Sequence, residues 1–240
     1  MSNIIKIIDL VPMSIVKNPQ PIINDIPDWY TNTQEYFLKG NEPTITIENG
    51  NKIIDSTIKK CIPVYDAMTA GYIIYSFTDI YISQINEKPN YQWHNLDDNL
   101  DIGINWHLIE QADGHPDFQN IPYPRWVLPW AISTPSGYSC IIVPPMHRES
   151  KIFKILPAIV DTDKSTTQIN LPFVLKDIKF EGMIPAGTPI AQVIPFKRES
   201  WKLEKGNERD IEKNKNTIKS LQSSFVNGYK NKFWQKKSYK

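Results

Sequence analysis

The sequence predicts an all-β body carried between an extended N-terminal arm and a basic C-terminal helix. Nineteen prolines against ten glycines, many of them between short apolar runs, exclude long helices over residues 40–200 and favour strands joined by turns. Apolar runs recur there at spacings of roughly ten residues with no helical pattern between them, the signature of a β-sandwich or jelly roll. Charge then sets the ends apart from the middle. The last forty residues hold 11 Lys/Arg against 4 Asp/Glu, leaving 16 against 22 for the rest, so a body of −6 carries a tail of +7.

Length and composition bound the class. A chain of 240 residues forms one large domain or two small ones with ample core. At 40% hydrophobic residues, net charge +1 and no apolar run near eighteen residues, a disordered chain and a membrane span are both excluded. The opening MSNIIKIIDLVP is too short in its apolar part to read as a secretory signal. Two cysteines, Cys61 and Cys140, fit a reducing compartment and no disulfide framework. There is no internal repeat.

The elements follow in order. Residues 1–40 read as an arm that wraps along the body, with Pro21 and Pro27 holding it extended and Trp29 and Tyr30 as anchors. Residues 41–200 form the sandwich, with strands expected at 44–47, 57–61, 71–76, 80–84, 104–108, 127–133, 139–143, 153–160, 167–173, 178–180 and 189–196. Residues 201–240 are a linker with a break at Gly206, then an amphipathic helix over about 208–235. Ile211, Ile218, Leu221, Phe225, Tyr229 and Phe233 fall at helical spacing on one face. That face packs on the chain or on a neighbour. Lys230, Lys232, Lys236, Lys237 and Lys240, interleaved with Phe233, Trp234 and Tyr239, offer nucleic acid a basic, aromatic surface.

Four clusters carry chemistry. Asp161 and Asp163 follow the buried-looking run ILPAIV and stand at a strand end, where they either bond nearby backbone N–H groups or activate water or a metal. After the Pro144-Pro145 turn, His147 and Arg148 form a positive corner that either binds an anion or pairs with Glu149, Asp161 or Asp163. His115 and Asp117, with His147 later, are the ligand types of an iron facial triad, although Gly114 and Pro116 put the first pair in a turn. Trp93, Trp106, Tyr123, Trp126 and Trp130 crowd together among Pro122, Pro124 and Pro129, read either as packing or as a platform for another subunit. Cys140, inside an apolar strand, is expected to be inert.

Several of these pieces resemble, in order, the trimeric dUTPase and dCTP deaminase superfamily. TPSGYSCIIVPPMHRES at 134–150 is similar to the turn and strand leading to a phosphate-binding Arg-Ser corner, PAIVDTD at 157–163 to the motif with the water-activating aspartate, and IPAGTPIAQVIP at 184–195 to the closing strand. The resemblance implies a jelly-roll sandwich of dUTPase-like topology, Asp161 as base, Arg148 for phosphate, and Mg²⁺ as cofactor. Three positions depart from it. Lys164 stands where a sugar-stacking Tyr is usual, Glu149 follows Arg148 where a Ser belongs, and Ile73 replaces an aspartate of the first motif. A longer match, over about residues 20–200, resembles an uncharacterised bacterial and tailed-phage family, the domain of unknown function 6065. It rests on Cys61, Pro63, Ala70, Gly71 and Tyr72, on Thr134 to Ser139, on Pro144 and Pro145, and on Val160 to Asp163.

The resulting expectation is a phage protein of the host cytoplasm or virion. It acts by binding or assembly, as a homo-oligomer or with other viral proteins, and needs no cofactor and no membrane. Its candidate partner contacts are Trp126, Trp130, Lys232, Phe233, Trp234, Lys236 and Lys237. The alternatives are a Mg²⁺-dependent nucleotide-binding or pyrophosphatase-like enzyme on Asp161, Asp163, Arg148 and His147, and an iron oxygenase on His115, Asp117 and His147.

Overall fold

The computed structural model describes residues 3–11, 17–48, 50–96, 100–117, 121–224 and 226–240. In chain order the first strands are β1 (Lys6–Asp9), β2 (Gln20–Pro21), β3 (Leu38–Lys39), β4 (Glu42–Pro43), β5 (Ile45–Glu48) and β6 (Asn51–Ile54). Next come β7 (Tyr72–Tyr75), β8 (Ile80–Ile85), β9 (Lys88–Trp93), β10 (Gly103–His107), β11 (Tyr123–Ser133) and β12 (Tyr138–Val143). The last are β13 (Phe153–Ile155), β14 (Ala158–Val160), β15 (Gln168–Leu175), β16 (Gly182–Ile184) and β17 (Pro189–Lys197). The α-helices are short or terminal: α1 (Asp28–Asn32), α2 (Ile62–Thr69), α3 (Glu208–Gln222) and α4 (Gly228–Lys232). The chain is therefore mostly β-sheet with few helices.

Contacts divide it into two units with boundaries other than those expected from sequence. The first comprises Met1–Asn24 and Gly71–Arg198, the second Asp25–Ala70 and Glu199–Lys240. Part of the expected arm and part of the expected sandwich thus join the tail.

In the first unit, one sheet runs β1-β11-β15-β13 with β10 also on β11, a second runs β14-β12-β17-β7-β2, and a third runs β16-β8-β9. Alternate residues of β11 (Trp126, Leu128, Trp130, Ile132) and β15 (Ile169, Leu171, Phe173, Leu175) enter one core with Cys140 and Ile142 of β12 and Ile190, Ala191 and Val193 of β17. This is the period-two pattern of strands with one face inward. Trp126 stacks on Phe173 at 3.9 Å between centroids and meets Phe153 edge-on at 4.8 Å. The N-terminal segment contributes strands to both large sheets: β1 pairs with β11 from Lys6↔Ser133 to Asp9↔Trp130, and β2 pairs with β7 at Gln20↔Ile73.

Several strand expectations change; the single strand expected at 153–160 is two, β13 on β15 and β14 on β12, and β1, β6 and β16 are further strands. Residues 57–61 form a 3-10 turn, Ile58–Lys60, whose Thr57 side chain accepts from the Lys59 N–H. Helix α2 follows at once because Pro63, in its first turn, needs no hydrogen-bond partner there. Residues 178–180 form a turn capped by Asp177, which accepts from the Lys179 N–H at 2.9 Å. Strand β9 is additional. It closes a hairpin with β8 through Asn86 and Glu87, both left-handed at φ 50° and 62°, the geometry of a two-residue loop that follows strand twist.

The motif Ala70-Gly71-Tyr72 has a packing role. Gly71 has φ +75°, and a Cβ there would lie 2.0 Å from the Val193 carbonyl oxygen. Only glycine lets the chain pass β17 this closely.

In the second unit, α3 opens with a reciprocal cap: Asn207 accepts from the N–H groups of Arg209 and Asp210, and Asp210 accepts from the Asn207 N–H. The expected single helix over 208–235 is two, separated before α4 by Asn227 in the left-handed region at φ 57°. Ile211, Ile218, Tyr229 and Phe233 are exposed, so the apolar spacing marks a face that α3 and α4 leave open. Phe225 lies outside the described residues. No helix among the described residues is long and apolar enough to cross a membrane.

Candidate functional site

Strand pairing in the first unit builds a carboxylate corner. β12 lies between β14 and β17, with Cys140 opposite Val160 on one side and Tyr138 opposite Lys197 on the other. The register brings the ends of β14 and β17 to the same end of β12, so residues 161–163, Ser139 and Arg198 converge beside the turn that ends at Gly137.

Alternation past Val160 gives the three residues different environments. Thr162 is buried and shares a 2.7 Å hydrogen bond with Thr134, tying the turn to the preceding strand. Asp161 points outward, with 61% of its side chain exposed. Its Oδ1 accepts from the Ser139 hydroxyl at 2.6 Å and from Arg198 Nη1 at 3.3 Å. The Asp163 side chain is 1% exposed and takes a two-pronged bond from Arg198, Nη1 to Oδ1 at 2.8 Å and Nη2 to Oδ2 at 2.5 Å. Its Oδ2 also accepts from the Gly137 N–H at 2.8 Å.

Arg198, helped by the Gly137 N–H, holds the Asp163 carboxyl well below the usual carboxylate range, and Asp163 in turn raises the Arg198 guanidinium. Arg198 is itself seated by bonds to the Tyr138 carbonyl at 3.0 Å and the Ser139 hydroxyl at 2.9 Å. A carboxylate so fully occupied is a clamp that ties β14, β17 and the turn before β12 together. It offers a substrate no free oxygen to accept a proton.

The structure separates the other expected parts. His147 and Arg148 follow the far end of β12, about 13 Å along the strand from Ser139 at roughly 3.3 Å per residue. Asp161 and Asp163 pair with Arg198, and Glu149 pairs with Lys176 at 3.4 Å. Within one chain the base and the phosphate corner are two places.

The iron set also fails to form. Asp117 pairs with Lys154 at 2.9 Å, and His115 Nδ1 accepts the Asp117 N–H at 3.1 Å. Among the described residues no group of three or more His, Cys, Asp or Glu side chains can hold a metal ion.

Trp126 and Trp130 are corrected from contact residues to core. Both are at most 1% exposed and lie on the inward face of β11. Burial pushes the Cys140 thiol up, which keeps it in its neutral, unreactive form.

The tail residues divide. Trp234 donates its indole N–H to both Asp66 oxygens at 2.9 and 3.0 Å, and Lys237 reaches the same carboxylate at 2.6 Å. Lys232 donates to the Ser220 carbonyl at 2.6 Å. Phe233 rests on Tyr229, while Lys236 lines a cleft. Ser139, Gly137 and Arg198 are the members that sequence reasoning missed. Gly137 was visible as the Pro-Ser-Gly turn, but nothing in the spacing marks an arginine just beyond the closing strand.

No family model matches the chain, so membership of the domain of unknown function 6065 has no support there, and no curated protein matches it. Among solved structures it has a weak resemblance to phage dUTPases. A mutant dUTPase from phage phi11 of S. aureus, described for the coordination of a structural Mg(II) ion, has 12% identity and a TM-score of 0.30, over 58% of this chain and 84% of that one. A mutant dUTPase of Staphylococcus bacteriophage 80alpha with dUpNHpp has the same identity and score over 70% and 90%. A superposition this loose transfers no residue's role.

Proposed function

We propose that the chain is a phage protein that works by binding and assembly, and that its first unit is a jelly-roll sandwich of dUTPase-like topology whose reactive corner has become structural. The observation that carries this reading is the Arg198 clamp. It occupies both oxygens of Asp163 and draws Oδ1 of Asp161 into the same network, so this carboxylate pair serves to hold three strand ends. Assembly is supported by apolar residues on open surfaces. Ile159 on the edge strand β14 is 67% exposed, and Tyr81 on β8 faces outward beside Met183 of β16, its cross-strand partner. The host cytoplasm or the virion is the place for such a protein, with copies of itself or other phage proteins as partners.

Light scattering on the purified chain, together with calorimetry against the four dNTPs in Mg²⁺, tests this. An oligomer and no heat are expected. A monomer that hydrolyses a dNTP, and loses that activity in Asp161→Asn, would establish the pyrophosphatase reading in its place.

A further inference from the structure

The second unit contains a groove that the carboxylate corner does not explain. A cleft of about 410 Å³ is lined by four lysines, Lys59, Lys60, Lys230 and Lys236, with Glu35 as its one carboxylate. Its aromatic walls are Tyr30, Tyr65 and Trp234. A second cleft of about 230 Å³ shares Lys60, Ile62, Asn227 and Lys230 with it and adds Tyr36 and Tyr229, so the two adjoin. Four lysines less one glutamate give the lining a charge of +3.

The lysines are not equally committed. Glu35 pairs with Lys60 at 3.1 Å, and Lys59 donates to the Thr31 carbonyl at 2.8 Å. Lys230 and Lys236 are exposed and enter none of the ion pairs found among the described residues. The rings are fixed beforehand. Trp234 is pinned by its N–H to Asp66, and Tyr30 and Tyr65 lie 6.1 Å apart at 35°. Lys59 and Lys60 sit over the rings of Tyr30 and Tyr36 at 5.8 and 5.1 Å.

Paired uncommitted cations and preset flat rings along one groove call for a ligand with repeating negative charge and unstacked planar groups. A simple anion would use the lysines and ignore the rings. A duplex hides its base faces. We propose that this groove binds single-stranded nucleic acid, with phosphates on Lys230 and Lys236 and bases against Tyr65 and Trp234. The site lies wholly in the second unit and stands or falls independently of the role proposed for the first.

The test is fluorescence anisotropy of the full chain with fluorescein-labelled oligo(dT) and oligo(rA), titrated between 50 and 200 mM salt. Saturable binding that weakens with salt is expected, with weaker binding to a hairpin duplex. Lys230→Ala with Lys236→Ala should weaken binding about tenfold or more. It should also flatten the log–log salt slope by about 1.4, two phosphate contacts at about 0.7 each. The same change at Lys151 and Lys179, in the first unit, should leave both unchanged. Tyr65→Ala should cost about fivefold or more and Tyr65→Phe should restore it, since the face and not the hydroxyl is used. Absence of binding at 50 mM salt, indifference to the Lys230 and Lys236 changes, equal loss at Lys151 and Lys179, or a preference for the duplex or for phosphatidylserine vesicles would each overturn the proposal.

Discussion

The first unit buries Trp126, Trp130, Phe153, Phe173 and their neighbours in one core, whereas the described residues of the second bury only Tyr30, Met68 and Thr69. What the second unit lacks in apolar burial it replaces with directed contacts. Trp234 and Lys237 meet on Asp66, Lys60 pairs with Glu35, and the Tyr30 hydroxyl donates to the Lys59 carbonyl at 3.0 Å. Area burial is insensitive to salt and forgiving of small shifts, while exposed ion pairs are screened and worth little singly. The same chain thus contains a part held by exclusion of water and a part held by charge.

The sharpest way to break that contrast is Trp126→Ala. Losing a ring that stacks on Phe173 and meets Phe153 edge-on should cost the first unit about 3–5 kcal/mol, read as a lower denaturant midpoint with local order in α3 and α4 unchanged. A small effect would mean that the core is not what holds this unit.

Next is Arg198→Ala, which asks whether the clamp is a charge-based element inside the apolar unit. The folded protein keeps Asp163 ionised further into acid than the unfolded chain does. The stability this supplies is present in full above the unfolded value near pH 4 and is lost as pH falls through the lower folded value. The gap between parent and variant should be widest at pH 7 and close progressively below about pH 4. A gap that is flat with pH would remove the clamp from the account.

The smallest effect is expected from Asp66→Ala, about 1 kcal/mol. Hydrogen exchange should quicken in α4 and stay unchanged in β11 and β15, and 0.5 M salt should mimic part of the loss in the parent protein.

Legibility in the sequence follows the same division. Strands of the first unit show because short apolar runs set between prolines and turns answer to one core, and such runs report burial. β9 was hidden because its hairpin turns on Asn86-Glu87, where Glu occupies the left-handed position that glycine normally advertises. The 3-10 turn and α2 were hidden because Thr57 and Ile58 carry strand preference and Pro63 reads as a breaker, although in a first turn it is a starter. At the corner, Asp161 and Asp163 were visible as a pair, but their owner, Arg198, lies 35 residues beyond Asp163, and no local pattern encodes that meeting. Trp126 and Trp130 stay open between packing and a contact platform in the sequence because a dense aromatic run has the same composition whether it faces inward or outward.

Asp66 has a consequence for how the molecule is made. Its partner Trp234 follows it by 168 residues, so at about 5–20 residues per second the carboxylate leaves the ribosome roughly 10–30 s before the indole that it will hold. During synthesis Asp66 must therefore wait for the segment that carries Trp234 before this contact can form.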